Sequence, residues 1–250
     1  MVDLWQIAPG ERALELGCGQ GDTTAVLADR VGPDGRVLAI DSAGPAYGAP
    51  VTLGTSMETL RRSVLGARIS VRLGTEIEEV EREAGHDAFD RMVMAHASWY
   101  VASRQRLLEV LRSGLSLAPV LCMSEWDLAP PRAEQFAHFG AVALQVIERQ
   151  LGCLPEGNIR TPLGRLQARA AVVEAGWVPT AEGLIDTSEL PDGAWELATA
   201  LGAVPEAIEA ASRSERLDLA VWVQTQQEAL ERARSGHAAS LGSWWLTARR

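Results

Sequence analysis

Apolar and polar positions change rhythm about halfway along the chain. Up to residue 128, short apolar runs alternate with stretches of helical period. The runs predict strands at Arg12–Leu16, Arg36–Ile40, Ile69–Leu73, Arg91–Ala95 and Val120–Ser124. Between them, helical spacing predicts Asp22–Val31, Glu58–Leu65, Glu76–Glu83 and Arg104–Gly114. Asp22 or Thr23 can cap the first helix, and Pro33-Asp34-Gly35 is a turn. Such alternation implies right-handed βαβ units and a parallel sheet. After residue 128 the rhythm breaks. Pro131 to about Gln150 reads as one helix with Phe136, Phe139, Ala143, Val146 and Ile147 on a shared face. Pro162–Ala175 reads as another, closed by Gly176, and residues 191–235 look helical. Trp177–Ile185 and Leu241–Ala248 are the last two strands, and at least one of Trp244 and Trp245 must point into the core. The expected architecture is one α/β domain over residues 1–250, with a seven-stranded, mostly parallel sheet and helices on both faces. Helical cap insertions fall at about 129–160 and 187–236.

Composition narrows the chemistry. The chain has 250 residues, 47% of them hydrophobic, ample for one core. No apolar run reaches the roughly 18 residues that would span a bilayer, so no membrane partner is expected. The first residues carry no basic segment followed by an apolar one, which predicts a cytoplasmic protein. Cys18, Cys122 and Cys153 are scattered, with neither a CxxC pair nor a disulfide framework; no metal site is expected. The formal net charge of −10 argues against nucleic acid as a partner, because phosphate binding needs a basic surface. All 23 cationic side chains are arginine. The absence of lysine removes Schiff-base chemistry and the phosphate-loop lysine. This Arg-rich, Ala-rich composition fits a high-GC bacterial genome.

The most informative segment is Ala13-Leu14-Glu15-Leu16-Gly17-Cys18-Gly19-Gln20-Gly21. An apolar strand enters three alternating glycines and then a helix. Glycines permit the tight turn and let a ligand approach the backbone. A second strand ends at Asp41, where a carboxylate can accept from two ribose hydroxyls. Dinucleotide sites favour G-x-G-x-x-G, with a pyrophosphate on the helix N-terminus. Here the spacing is G-x-G-x-G, and the acid Glu15 precedes the first glycine. That acid is poorly placed for a pyrophosphate and suits a ligand with an ammonium group and a sulfonium.

The segment resembles motif I of the class I (Rossmann-like) S-adenosylmethionine (SAM)-dependent methyltransferases. Val37–Asp41 is similar to the strand that ends in the ribose-binding acid, Asp90–His96 to the fourth strand, and Arg106–Gly114 to the helix after it. The resemblance is good from Glu11 to Asp127 and holds only in outline beyond. It implies that Gly17, Gly19 and Gly21 pass under the methionine part of SAM. It implies that Glu15 holds the loop or meets the amino group. Asp41 would take the ribose, with Ser42 beside the adenine. Thr75 and Glu76 stand where the family often has an acid facing the adenine amine; that Asp is missing here. The backbone at Ala95 or His96 would accept from the SAM amine. Cys18 sits at the cofactor turn as a small buried filler. S-adenosylhomocysteine would be the product.

In open α/β sheets ligands bind beyond the carboxyl ends of the strands. After the fourth strand come His96, Ser98, Trp99 and Tyr100, and after the fifth come Glu125, Trp126 and Asp127. Methyl transfer is an in-line displacement that mainly needs a positioned acceptor, with a base where the acceptor carries a proton. His96 is the first candidate base and Glu125 the second; each has a structural alternative as a loop-holding group. Trp99, Tyr100 and Trp126 can wall a flat acceptor or simply pack. His138, on the long helix, can reach the pocket or lie exposed. Asp127 reads as a cap for the helix near Pro131. Because only ten residues precede Glu11, the inserted helices are expected to cover the acceptor. That favours a small, aromatic or heterocyclic acceptor in bacterial secondary metabolism; a homodimer is compatible. Two other readings remain open: a methyltransferase-like binding domain without turnover, and an NAD(P)-dependent oxidoreductase. The second is opposed by the glycine spacing and by the lack of a Tyr-xxx-Lys pair.

Overall fold

A computed structural model describes residues 1–153, 159–234 and 238–250. The ends of the two expected insertions at 154–158 and 235–236 lie outside the described residues. Seven strands form one sheet: β1 (Arg12–Leu16), β2 (Arg36–Asp41), β3 (Ile69–Leu73), β4 (Arg91–Ala95), β5 (Val120–Trp126), β6 (Val178–Ile185) and β7 (Ser243–Arg249). Their order is β3-β2-β1-β4-β5-β7-β6. β1 to β5 pair in parallel, with Glu15 level with Ala39 on one side and Val93 on the other. β7 runs against β5: the Asp127 N–H donates to the Gly242 carbonyl at one end, and the Arg250 N–H to Pro119 at the other. β6 in turn opposes β7, through the Thr180–Thr247 and Thr187–Leu241 contacts. The sheet is therefore mixed, with the antiparallel strand last in the chain.

Eight α-helices fill the described connections: α1 (Asp22–Val31), α2 (Leu53–Arg61), α3 (Ile77–Ala84), α4 (Arg104–Leu117), α5 (Phe136–Gln150), α6 (Arg165–Ala175), α7 (Asp192–Arg213) and α8 (Leu217–Arg234). Among these, α1 needs no side-chain cap. Its N-cap is Gly21 in the left-handed region, so neither Asp22 nor Thr23 caps it. Asp22 sits in the first turn, where its charge suits the helix dipole. α2 starts five residues before the expected position, because the Thr52 hydroxyl accepts from the Thr55 N–H. Leu53 and Met57 form its buried stripe. α6 begins at Arg165 rather than Pro162, and the helical stretch 191–235 is two helices that break near Ser214.

The long helix also starts late. A 3-10 turn, Ala133–Gln135, precedes α5, which Pro130 and Pro131 force by lacking N–H donors. Its buried face is Ala137, His138, Ala141, Val142, Leu144, Gln145 and Glu148. That is not the face expected from the larger apolar residues; Phe136 and Ala143 are exposed. Asp127 does not cap this helix. Its carboxylate accepts from the Ala129 N–H and closes the turn after β5.

The chain divides into two compact units. The first comprises Met1–Glu125, Leu166–Gly183 and Trp245–Arg250; the second comprises Trp126–Arg165 and Leu184–Trp244. The second unit takes in both stretches expected as insertions and starts at Trp126 rather than near 129. In the first unit, Trp5, Leu27, Val31, Val37 and Val93 belong to one apolar cluster. Trp177 is buried there too, with its indole N–H on the Leu111 carbonyl at 2.8 Å. Burying a side chain of this size contributes roughly 1.5–3 kcal/mol. The second unit packs Leu144, Leu197, Val204, Val223 and Leu230 among alanines. Trp244 is buried and Trp245 only partly so, as their alternation on β7 requires.

Candidate active site

The strand order reverses between β1 and β4, where a crevice opens at the carboxyl ends of an α/β sheet. The glycine turn lies there. The N–H groups of Gly17 and Cys18 both donate to the Ile40 carbonyl, which ties the turn to the end of β2. Gly17 has φ +69°, and a Cβ on it would stand 2.5 Å from the Ala97 Cβ. This close approach brings the residues after β4 against the turn. Gly19 has φ +51°, and a Cβ there would meet nothing within 4 Å. The turn is thus closed at Gly17 and open above Gly19.

Asp41 organises the far wall. Its Oδ2 accepts from the Gly19 N–H at 3.0 Å and its Oδ1 from the Ala43 N–H at 2.8 Å. Its carbonyl accepts from the Thr75 N–H, which places the buried Thr75 beside it. Ser42 is exposed. Glu76 is used elsewhere: it is the N-cap of α3, in a reciprocal capping box with Glu79. Its carboxylate also receives Arg106 Nη2 at 2.9 Å.

Glu15 is buried on β1, and the Thr24 hydroxyl donates to its Oε2 at 2.5 Å. Loss of water pushes its pKa up to about 8, helped by the negative charges of Asp41 and Asp22 and opposed by the Thr24 bond. An acid in this state would gain from a nearby cation. Thr24 was not singled out by the sequence; a hydroxyl nine residues after an in-facing acid was the available signal. Burial likewise pushes the Cys18 thiol up, so it is a protonated filler and no nucleophile.

His96 and Glu125 meet. His96 follows β4 at φ +48°, uncommon for a residue with a side chain. Its N–H is fixed on the Ser124 carbonyl. Its Nδ1 lies 3.5 Å from Glu125 Oε1, and the His96 side chain is 23% exposed against 1% for Glu125. The other carboxylate oxygen accepts from the Ser98 hydroxyl at 2.9 Å and the Trp99 N–H at 3.2 Å. Glu125 is therefore held on one side and faces the imidazole on the other. Ser98, three residues after β4, is the side-chain anchor of Glu125.

The ring residues divide between the units. In the first, Trp99 is buried and Tyr100 is 42% exposed. In the second, Trp126 and His138 form an edge-on pair with centroids 5.2 Å apart. His138 is not exposed: it is buried and its Nδ1 accepts from the Leu241 N–H at 3.0 Å. Because Nδ1 is an acceptor, the proton of the neutral ring sits on Nε2. Among the described residues no group of three His, Cys, Asp or Glu could hold a metal ion, and no helix is long and apolar enough to cross a membrane.

A closed glycine turn, an acid on the next strand and a buried acid under the turn define the class of protein. The profile of the family described as Protein-L-isoaspartate(D-aspartate) O-methyltransferase (PCMT) matches residues 1–97, the part that carries these features. The crystal structure of a cyclopropane-fatty-acyl-phospholipid synthase-like protein from Lactobacillus casei ATCC 334 superposes with a TM-score of 0.86. It is 31% identical, over 100% of this chain and 88% of that one. The chain belongs to the class I SAM-dependent methyltransferases, whose cofactor is S-adenosylmethionine.

More local likenesses point within the class. A nocamycin O-methyltransferase from Saccharothrix syringae is 39% identical over 74 residues, 30% of this chain and 24% of that protein. The methyltransferase phomM' from Diaporthe leptostromiformis is 25% identical over 154 residues, 54% of this chain and 40% of that protein. The chain thus spans less than half the length of these curated relatives.

Proposed function

We propose that this protein transfers a methyl group from SAM to a small aromatic or heterocyclic acceptor in bacterial secondary metabolism. The observation that carries the reading is the pairing of the open turn above Gly19 with Asp41 on the next strand. SAM supplies an activated methyl on a sulfonium. The turn of Gly17, Gly19 and Gly21 would pass under its methionine part. Each Asp41 oxygen uses one lone pair on a backbone N–H and keeps another for a sugar hydroxyl. Glu15, short of positive charge, would favour the amino group. Thr75 and Ser42 remain for the adenine; Glu76 would serve it only by leaving Arg106. The carbonyl of Ala95 or His96 would take the amino group from the other side.

His96 is the proposed base, and Glu125 would hold the Nδ1 proton so that Nε2 is free to take one from the acceptor. Trp99 and Tyr100 are the proposed acceptor-binding residues of the first unit, and Trp126 and His138, paired with each other, those of the second. The likeness to a nocamycin O-methyltransferase supports a small-molecule acceptor. Calorimetry with S-adenosylhomocysteine tests the cofactor half: saturable binding is expected. Absence of affinity for both SAM and its product would overturn the reading.

A further inference from the structure

A cavity of about 450 Å³ lies at the other edge of the sheet from the glycine turn. Arg91 opens β4 and Val120 opens β5, and both line it. The glycine turn instead follows the last residue of β1. These strands are parallel, so their amino ends mark the opposite edge, roughly 17 Å away for five residues. Trp245, Thr247 and Arg249, at alternate positions of β7, share the face that lines the cavity. Trp5, from the N-terminal segment, also borders it as a buried side chain. Every lining residue belongs to the first unit.

The lining is rich in donors. Arg91 is fixed by Glu11, with contacts of 2.9 to 3.1 Å, and by the carbonyls of Trp5 and Gln6. That arrangement consumes Glu11, and among the described residues no carboxylate lines the cavity. Arg249 is exposed at the rim and has no ion pair among the described residues. The Trp5 indole N–H is buried and has no acceptor there either. With Arg91 paired to Glu11, the charge left at the hollow is that of Arg249, beside the partly buried Trp245 indole; on a chain of net charge −10 this local cation and flat ring favour a flat anion. The volume falls in the range of small-molecule sites, about 300–1,000 Å³.

We propose that this cavity binds a small aromatic carboxylate, its ring against Trp245 and its charge on Arg249. The site is separate from the methyl-transfer reading and does not rest on it. The test is calorimetry of the full chain, saturated with S-adenosylhomocysteine, against 1-naphthoate and the uncharged 1-naphthamide. The acid should bind at one site, with the amide about tenfold weaker or worse. Arg249→Gln should weaken the acid by about tenfold and leave the amide unchanged. Ala181→Trp, which fills the cavity from an exposed strand position, should abolish both. Four results would overturn the proposal: no saturable binding at millimolar ligand, equal affinity for acid and amide, an unchanged Arg249→Gln variant, or competition between naphthoate and S-adenosylhomocysteine. Failure of the cofactor product itself to bind would sink the methyl-transfer reading and leave this measurement interpretable in the free protein.

Discussion

The two units treat buried acids in opposite ways. In the first, Glu15 has the Thr24 hydroxyl, and Glu125 has the Ser98 hydroxyl and the Trp99 N–H with His96 alongside. In the second, Glu148 is buried on α5, and neither carboxylate oxygen has a hydrogen-bond partner among the described residues. Burying a polar group without a partner costs on the order of 1–3 kcal/mol. The first unit therefore spends side chains on holding its acids in defined directions, as a site for a charged ligand requires. The second is packed through alanines and leaves its acid to stay protonated.

The sharpest way to break this contrast is to remove a held group. His96→Ala should lower turnover by about 10²–10⁴-fold, with the affinity for S-adenosylhomocysteine unchanged by calorimetry. A variant with wild-type turnover would reduce the His96–Glu125 contact to a loop fastening. Asp41→Ala removes the carboxylate bonds to the Gly19 and Ala43 N–H groups as well as the proposed sugar contact. At about 1.5–3 kcal/mol for each charge-assisted bond, affinity should fall about 10²–10³-fold. Unchanged affinity would show that the turn is set without Asp41.

The next effect compares the units directly. Burial pushes the Glu148 pKa up to about 8, and Glu15 likewise. Each folded group keeps its proton where the unfolded chain, near pH 4.3, has lost it. Stability is thus full below that pH, falls as pH rises, and levels off above about 8. Each group contributes a slope of up to about 1.4 kcal/mol per pH unit. Denaturant unfolding between pH 5 and 8 should show it, where Glu148→Gln and Glu15→Gln should each remove part. Saturation with S-adenosylhomocysteine should shrink the Glu15 part, because its ammonium favours the charged acid, and leave the Glu148 part. A product that flattened neither would take Glu15 out of the cofactor site.

The same contrast explains what was legible in the sequence. From Glu11 to Asp127 the order of strands, the turn and Asp41 could all be read, because glycine spacing and strand ends are local. His96 and Glu125 were legible as candidates at the carboxyl ends of the fourth and fifth strands; these strands pair in parallel, which brings the two side chains together. Glu76 was harder: its capping box is local, but Arg106 lies thirty residues on. The second unit was least legible. Its helices bury Ala137, Ala141, Ala200 and Ala207, whereas a periodicity weighted by large apolar residues pointed to Phe136 and its neighbours. For His138 the exposed alternative fails, and no local pattern could tell, since its partner is a backbone N–H more than a hundred residues away. Small residues set a close helix approach without marking a face in the pattern.

The smallest effect tests that packing. Gly140 lies within α5, where a Cβ would come 2.9 Å from the Leu230 Cδ2 of α8. Gly140→Ala gains about 1 kcal/mol of helix propensity. It also makes Leu230 turn off its rotamer, at about 0.5–1.5 kcal/mol. The two nearly cancel, so unfolding free energy should move by less than about 1 kcal/mol, and the affinity for S-adenosylhomocysteine should not move. At Gly17 the equivalent Cβ meets the Ala97 Cβ, which has no flexible end to yield, at a φ that strains any side chain. A large loss at Gly140 would mean that the helices of the second unit are held as rigidly as the glycine turn, and the contrast between the two units would fail.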